Sequence, residues 1–245
     1  MTGVQTCALP ICLLANPQCQ FTLLAQAHQD LDQALEALAD ALGTRHTPPA
    51  QVATLERPAL PGPGRDPIEP MGLGRLIAAL IPENAIVVDE SVSSGRGFDV
   101  PTRGSAPHSW LNIMGGAIGF GLPGAVGAAI GAPERPVIVL EGDGSGMYTL
   151  QALWSMARES LNIKVVLLAN RSYQILQGEL KNVGAQSPGV NARAMLSLDN
   201  PALDWVHLAR GMGVPGQRVE SLQELAQALQ NALLTPGPVL IEALL

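Results

Sequence analysis

The spacing of apolar residues predicts a helical opening, a break, and then a regular alternation of helices and strands. Between Phe21 and Leu42 the side chains Leu31, Leu35, Leu38 and Leu42 recur at helical spacing, with Asp and Gln opposite them, the pattern of an amphipathic helix. Residues 44–66 lose this periodicity and are rich in proline, as an extended linker is, so a domain boundary belongs there. Beyond it the pattern predicts a helix over 72–80 with Pro70 at its start and a strand in AIVVDE, residues 85–90. A glycine-rich helix over 116–130, a strand in PVIVLEG from Pro136 and a helix over 149–159 follow. The strand IKVVLLAN ending at Asn170, helices over 201–211 and 221–234 and a last strand PVLIEAL complete the series. Leu150, Leu153, Trp154 and Ala157 lie at helical spacing and are expected in the core.

Short apolar strands separated by helices have both faces covered. The fold class is therefore α/β: a doubly wound, mostly parallel sheet with helices on both faces, preceded by a helical remnant and a Pro-rich linker. Residues 13–43 are the remnant of a preceding middle domain, 44–66 the linker and 67–245 the principal domain.

Composition narrows the function classes. A length of 245 residues with 47% hydrophobic content suits one large α/β domain plus extra material. A formal charge of −7, only 14 Lys and Arg and 3% aromatic residues offer neither a basic surface nor stacking platforms, so no nucleic-acid partner is expected. Cys7, Cys12 and Cys19 lack the CxxC pairs and nearby histidines of a zinc site. The start MTGVQTCALPIC has no positive flank of a signal peptide; residues 1–12 read as a non-native leader and are set apart from the fold. Leu111 to Pro133 is uncharged and long enough to cross a bilayer, yet Asn112, Pro123 and six glycines between Gly115 and Gly127 suit a helix buried within a soluble domain. No membrane partner and a cytoplasmic location are expected.

The candidate chemistry sits where the strands end. In a parallel sheet ligands bind beyond the carboxyl ends of the strands, which is where Glu90, Asp143 and Asn170 fall. After Leu140 the residues Gly142, Asp143, Gly144 and Ser145 turn the chain into a helix, aiming backbone N–H groups and a hydroxyl at one spot suited to an anion. Asp143 would repel a phosphate there unless a divalent cation lay between them. Asn170, closing the next strand, offers a neutral oxygen of the kind Mg²⁺ accepts. GFGLPG at Gly119, Gly121 and Gly124 matches a dinucleotide-binding pattern, but no apolar strand leads into it and Pro123 lies inside it. His46, His108 and His207 have no partner pattern that points to catalysis.

GDGS at 142–145 followed by Asn170 resembles the diphosphate motif of thiamine diphosphate enzymes, and YTLQALWSMARESLNIKVVLLANRSYQIL around it strengthens the likeness. The resemblance covers about Asp66 to Leu245, the family's C-terminal cofactor-binding domain, and is nearest to its acetolactate synthase large-subunit-like and benzoylformate decarboxylase branches. It implies Mg²⁺ held by Asp143, the Asn170 side chain and the Ser172 carbonyl, with Gly142, Gly144 and Ser145 at the diphosphate. GGAIGFGLP resembles the family's second cofactor segment, which implies that the Gly116 carbonyl meets the aminopyrimidine and that Ile118 props the cofactor in its bent form. DESVSS resembles the loop reaching the diphosphate from the first strand, making Glu90, Ser91 and Ser93 further candidates.

The function so implied is the cofactor-binding part of an enzyme that uses thiamine diphosphate and Mg²⁺ on a 2-keto acid such as pyruvate or benzoylformate. Decarboxylation or carboligation of the acetolactate type would follow. No catalytic residue is assigned within this chain, because the family's activating glutamate comes from the pyrimidine-binding domain of a partner subunit, in a homodimer or homotetramer. The alternative is a non-catalytic cofactor-binding fragment or a pseudoenzyme.

Overall fold

The computed structural model describes residues 25–26, 28–43, 56–185 and 187–245, and the chain divides into two compact units, 1–53 and 54–245. In the first unit a helix spans Leu31–Ala41, and the Asp30 side chain caps it by accepting from the backbone N–H groups of Asp32 and Gln33. Its stripe of Leu31, Leu35, Leu38 and Leu42 stays exposed. The leader, the three cysteines, His46 and residues 44–55 of the linker lie outside the described residues.

The second unit is built on six strands: β1 (Ile86–Glu90), β2 (Ser109–Asn112), β3 (Val137–Gly142), β4 (Ile163–Ala169), β5 (Gly216–Val219) and β6 (Val239–Leu244). They form one sheet in the order β2-β1-β3-β4-β6-β5, and every pairing is parallel. Alternate residues face opposite sides, so each of the inner strands β1, β3, β4 and β6 feeds two cores. Val87, Ile138, Leu140, Val166, Leu168 and Ile241 pack with the helices Pro70–Leu80 and Leu222–Leu234. Ile86, Val88, Val137, Val139, Val165, Leu167 and Leu240 pack with Gly121–Gly131, Ala152–Arg158 and Trp205–Gly211. Each such side chain contributes roughly 1.5–3 kcal/mol through burial. The doubly wound arrangement follows from handedness: connections stepping one way along the sheet cross one face and those stepping back cross the other, as right-handed crossovers require.

Several elements differ from the sequence expectation. β2 and β5 are additional strands at the two edges, where SWLN and GQRV are too short and too polar to register as buried runs. The helix expected over 116–130 starts only at Gly121, because Gly115, Gly116 and Gly119 take positive φ of 63°, 71° and 85° and turn the chain instead. The uncharged stretch 111–133 is thus strand, turn and short helix, and no helix among the described residues is long and apolar enough to cross a membrane. The helix expected over 149–159 is two, Asp143–Thr149 and Ala152–Arg158; Leu153 is buried, but Trp154 is 52% exposed with the Arg158 guanidinium stacked over its ring. The stretch 201–211, expected as helix, is helical only from Trp205, where the Asp204 side chain accepts from the His207 N–H.

Candidate functional site

The order β2-β1-β3 creates a crevice, since the chain leaves β1 towards β2 and returns past it to β3. Register places Glu90 beside Glu141 and Gly142 beside Leu168, so the carboxyl ends of β1, β3 and β4 lie together. A cleft of about 280 Å³ opens there. Glu90, Ser91, Ser93, Gly116, Ile118, Gly142, Asp143, Gly144, Ser145, Asn170 and Ser172 all line it. Four separate loops deliver these residues, and the sheet brings every one of them to the same space.

Asp143, the first residue of its helix, is 3% exposed. Its Oδ1 accepts from the Gly144 N–H at 2.9 Å and its Oδ2 from the Arg171 N–H at 2.6 Å. Burial nevertheless pushes its carboxyl up to about 6, with those N–H groups opposing the shift. Arg171 reaches Asp143 through a left-handed backbone, φ 54°, while its guanidinium turns outward to Asp199 at 3.1 Å. Asn170 Oδ1 accepts from the Ser172 N–H at 3.0 Å, and the Ser172 carbonyl accepts no hydrogen bond among the described residues.

Glu90 is 1% exposed and ties the glycine-rich turn to the end of β1, accepting from the Gly119 N–H at 2.6 Å and the Gly121 N–H at 2.5 Å. Burial raises its carboxyl despite these donors. Glu141 is fully buried behind it; burial first and the Glu90 charge second hold its carboxyl well above the usual range. The Ser145 hydroxyl donates to Glu141 Oε1, and Glu141 Oε2 has no hydrogen-bond partner among the described residues. The Ser91 hydroxyl is likewise given to Asp89 Oδ1, at 2.5 Å. Ser91 and Ser145 therefore reach the cleft with their hydroxyl protons already engaged.

Ile118 is 50% exposed and belongs to no core. Sequence reasoning did not name Val92, Ser94, Ile113, Tyr173, Gln174 and Ile175, which line the cleft as well. The Tyr173 ring covers Gly144 so closely that a Cβ there would meet it at 2.9 Å. Val92 holds φ 47°, an outlying conformation for a β-branched residue, of the kind that concentrates at ligand sites. Glu141 had a signal, a charge inside the otherwise apolar strand PVIVLEG.

The donor set fits a diphosphate bound through a divalent cation. No Lys, Arg or His lines the cleft, while three buried carboxyls stand at or behind its floor, so a polyanion can settle only with a cation between. Among the described residues no three His, Cys, Asp or Glu side chains gather to hold a metal by themselves. The oxygens of Asp143, Asn170 and Ser172 would need phosphate oxygens to complete the shell of a hard ion. Gly116, with open space where a Cβ would stand, leaves its side of the cleft free for a ring.

Comparisons with known proteins identify the family. Residues 100–243 match the family model described as thiamine pyrophosphate enzyme, C-terminal TPP binding domain. IlvX of Mycobacterium tuberculosis, provisionally assigned as an acetolactate synthase large subunit, is 45% identical over 91% of this chain and 42% of its own length. Benzoylformate decarboxylase of Pseudomonas aeruginosa is 36% identical over 87% of this chain and 39% of its own. The solved structure of a thiamine diphosphate-dependent 4-hydroxybenzoylformate decarboxylase from Rhodococcus jostii superposes with a TM-score of 0.68 at 33% identity, covering 86% of this chain and 38% of that one. The chain thus spans less than half the length of these relatives.

Proposed function

The chain belongs to the thiamine pyrophosphate enzymes, carrying their C-terminal TPP-binding domain, and from that premise we propose that it is the cofactor-binding part of an enzyme acting on 2-keto acids. The observation that carries this reading is the convergence of eleven residues from four loops on one cation-free cleft. Asp143, Asn170 and the Ser172 carbonyl hold Mg²⁺. Gly142, Gly144, Ser145 and the 90–93 loop surround the diphosphate, and Ser145 contributes its backbone because its hydroxyl serves Glu141. Glu90 acts on the site through the turn it anchors, placing Gly116 and Ile118 opposite the metal ligands. When bound, thiamine diphosphate supplies an electron sink for decarboxylation or carboligation.

The rim beyond Ile118 continues into exposed Met114 and Tyr148. An apolar edge at the mouth of the cleft suits coverage by another protein surface, and we assign it to the pyrimidine-binding domain of a partner subunit in a homodimer or homotetramer. That surface would bring the activating glutamate; in this chain Glu90 and Glu141 are committed to backbone N–H groups and to Ser145. Residues 13–43 and 44–66 are then the end of a middle domain and its linker, and the assembled enzyme works in the cytoplasm.

The test is to assay the purified chain with pyruvate and with benzoylformate, alone and after addition of the pyrimidine-binding domain of a full-length relative. Activity appearing only in the mixture supports the reading. Turnover by the chain alone contradicts the assignment of the glutamate, and silence in both favours a non-catalytic binding protein. Because Ile118 is half-exposed, Ile118→Ala should shift the melting temperature by no more than about 1 °C, against the roughly 2–5 kcal/mol that truncating a core isoleucine costs. In the active mixture it should lower turnover at least about tenfold, a loss of reactive geometry. Early melting with turnover intact would return Ile118 to a packing role.

A further inference from the structure

We infer that Ser94 is a positioning residue for the metal-binding amide of Asn170, an inference that rests on the cofactor reading above. Ser94 stands in the turn after β1 and is 5% exposed, its N–H donating to the Ser91 carbonyl at 3.0 Å. Asn170 Nδ2 donates to Ser94 Oγ at 3.2 Å, a bond between residues 76 apart in sequence that passes across the end of β3 to β4.

The chemistry of an amide makes this contact consequential. Asn170 can present either an oxygen or an NH2 group to a cation, and only the oxygen binds it. The Ser172 N–H, a donor at 3.0 Å, selects the orientation with Oδ1 on its side. That choice holds only if the NH2 group has acceptors on the other side, and it has two, Ser94 Oγ and Gln174 Oε1 at 3.1 Å. Gln174 is exposed and can swing or turn its own amide over; Ser94 is buried in a hydrogen-bonded turn and cannot. Ser94 therefore fixes the donor side of Asn170, and since it shares a loop with Glu90, Ser91 and Ser93, it couples the diphosphate side of the cleft to the metal side. Partners that orient a metal ligand typically change metal affinity about 10–100-fold when removed.

Two readouts on the full 245-residue chain test this. In the ligand-free protein the side-chain NH2 signals of Asn170, identified by their loss in Asn170→Asp, should be slow to exchange with solvent. In Ser94→Ala they should move towards the free-amide position and exchange faster. In titrations with Mg²⁺ and thiamine diphosphate, Ser94→Ala should weaken binding about tenfold at the low end of that range. In an Asn170→Asp background, where both oxygens are acceptors and orientation no longer matters, the same change should cost about twofold or less. Unchanged amide signals, unchanged affinity, or an equal loss in both backgrounds would overturn the role given to Ser94. Failure of the unmutated chain to bind at all would overturn the cofactor reading, and with it the metal role of Ser94, whatever the amide signals do.

Discussion

Asp143→Asn should abolish Mg²⁺-dependent binding of thiamine diphosphate, weakening it by at least about 100-fold, because the cleft holds no cation that could replace the metal. The same residue should mark the pH dependence of the free protein. Its folded carboxyl, pushed up to about 6 by burial, lies above the ordinary Asp value, so the folded chain holds a proton that the unfolded chain has released. Stability from this group is greatest at low pH and falls as pH rises from about 4 through about 6, by up to about 3 kcal/mol. The raised carboxyls of Glu90 and Glu141 act in the same direction. Melting curves of the cofactor-free chain should therefore show a lower midpoint at pH 8 than at pH 5, and saturating Mg²⁺ with thiamine diphosphate should remove most of the difference. A carbon-detected titration of Asp143 with its midpoint near 4 would refute the account of its burial.

Gly121→Ala should cost both folding stability and cofactor binding. A Cβ at Gly121 would overlap Glu141 Oε2 and stand 3.0 Å from Glu90 Cβ and 3.1 Å from Glu90 Oε2. Neither carboxyl can retreat cheaply, since Glu90 holds the Gly119 and Gly121 N–H groups and Glu141 is enclosed with Ser145. Overpacking costs typically 1–3 kcal/mol, and displacing a buried carboxylate adds to it. A fall in melting temperature of about 5–10 °C is expected for a domain of this size, together with loss of cofactor binding as the 113–120 turn comes free. Gly127, on the same helix, has open space where its Cβ would be. Gly127→Ala should leave binding intact and raise stability by up to about 1 kcal/mol. Equal behaviour of the two variants would dismiss the role given to the buried carboxyl pair.

The central strands and the residues at their ends were legible in the sequence because burial on both faces leaves continuous apolar runs, and Glu90, Asp143 and Asn170 break those runs at their carboxyl ends. The edge strands were not, since SWLN and GQRV gain their structure from a neighbour's ladder rather than from a pattern of their own. The glycine-rich stretch misled for a physical reason: glycine suits close helix packing and positive φ alike, and here Gly115, Gly116 and Gly119 use the second property. Eleven of the residues that share the cleft followed from strand-end position and from the resemblance of their motifs to the family, but what each side chain bonds to did not. The engagement of Ser145 by Glu141, the outward turn of Arg171 to Asp199 and the grip of Ser94 on Asn170 depend on side-chain geometry that the order of residues does not display.

Calorimetric titration of the full chain with thiamine diphosphate, with Mg²⁺ and then with EDTA, tests the central claim most directly. The account predicts saturable binding to one site per chain with Mg²⁺ and none in EDTA, with the metal-dependent binding lost in Asp143→Asn. Binding of equal strength in EDTA, or binding that survives Asp143→Asn, would contradict it.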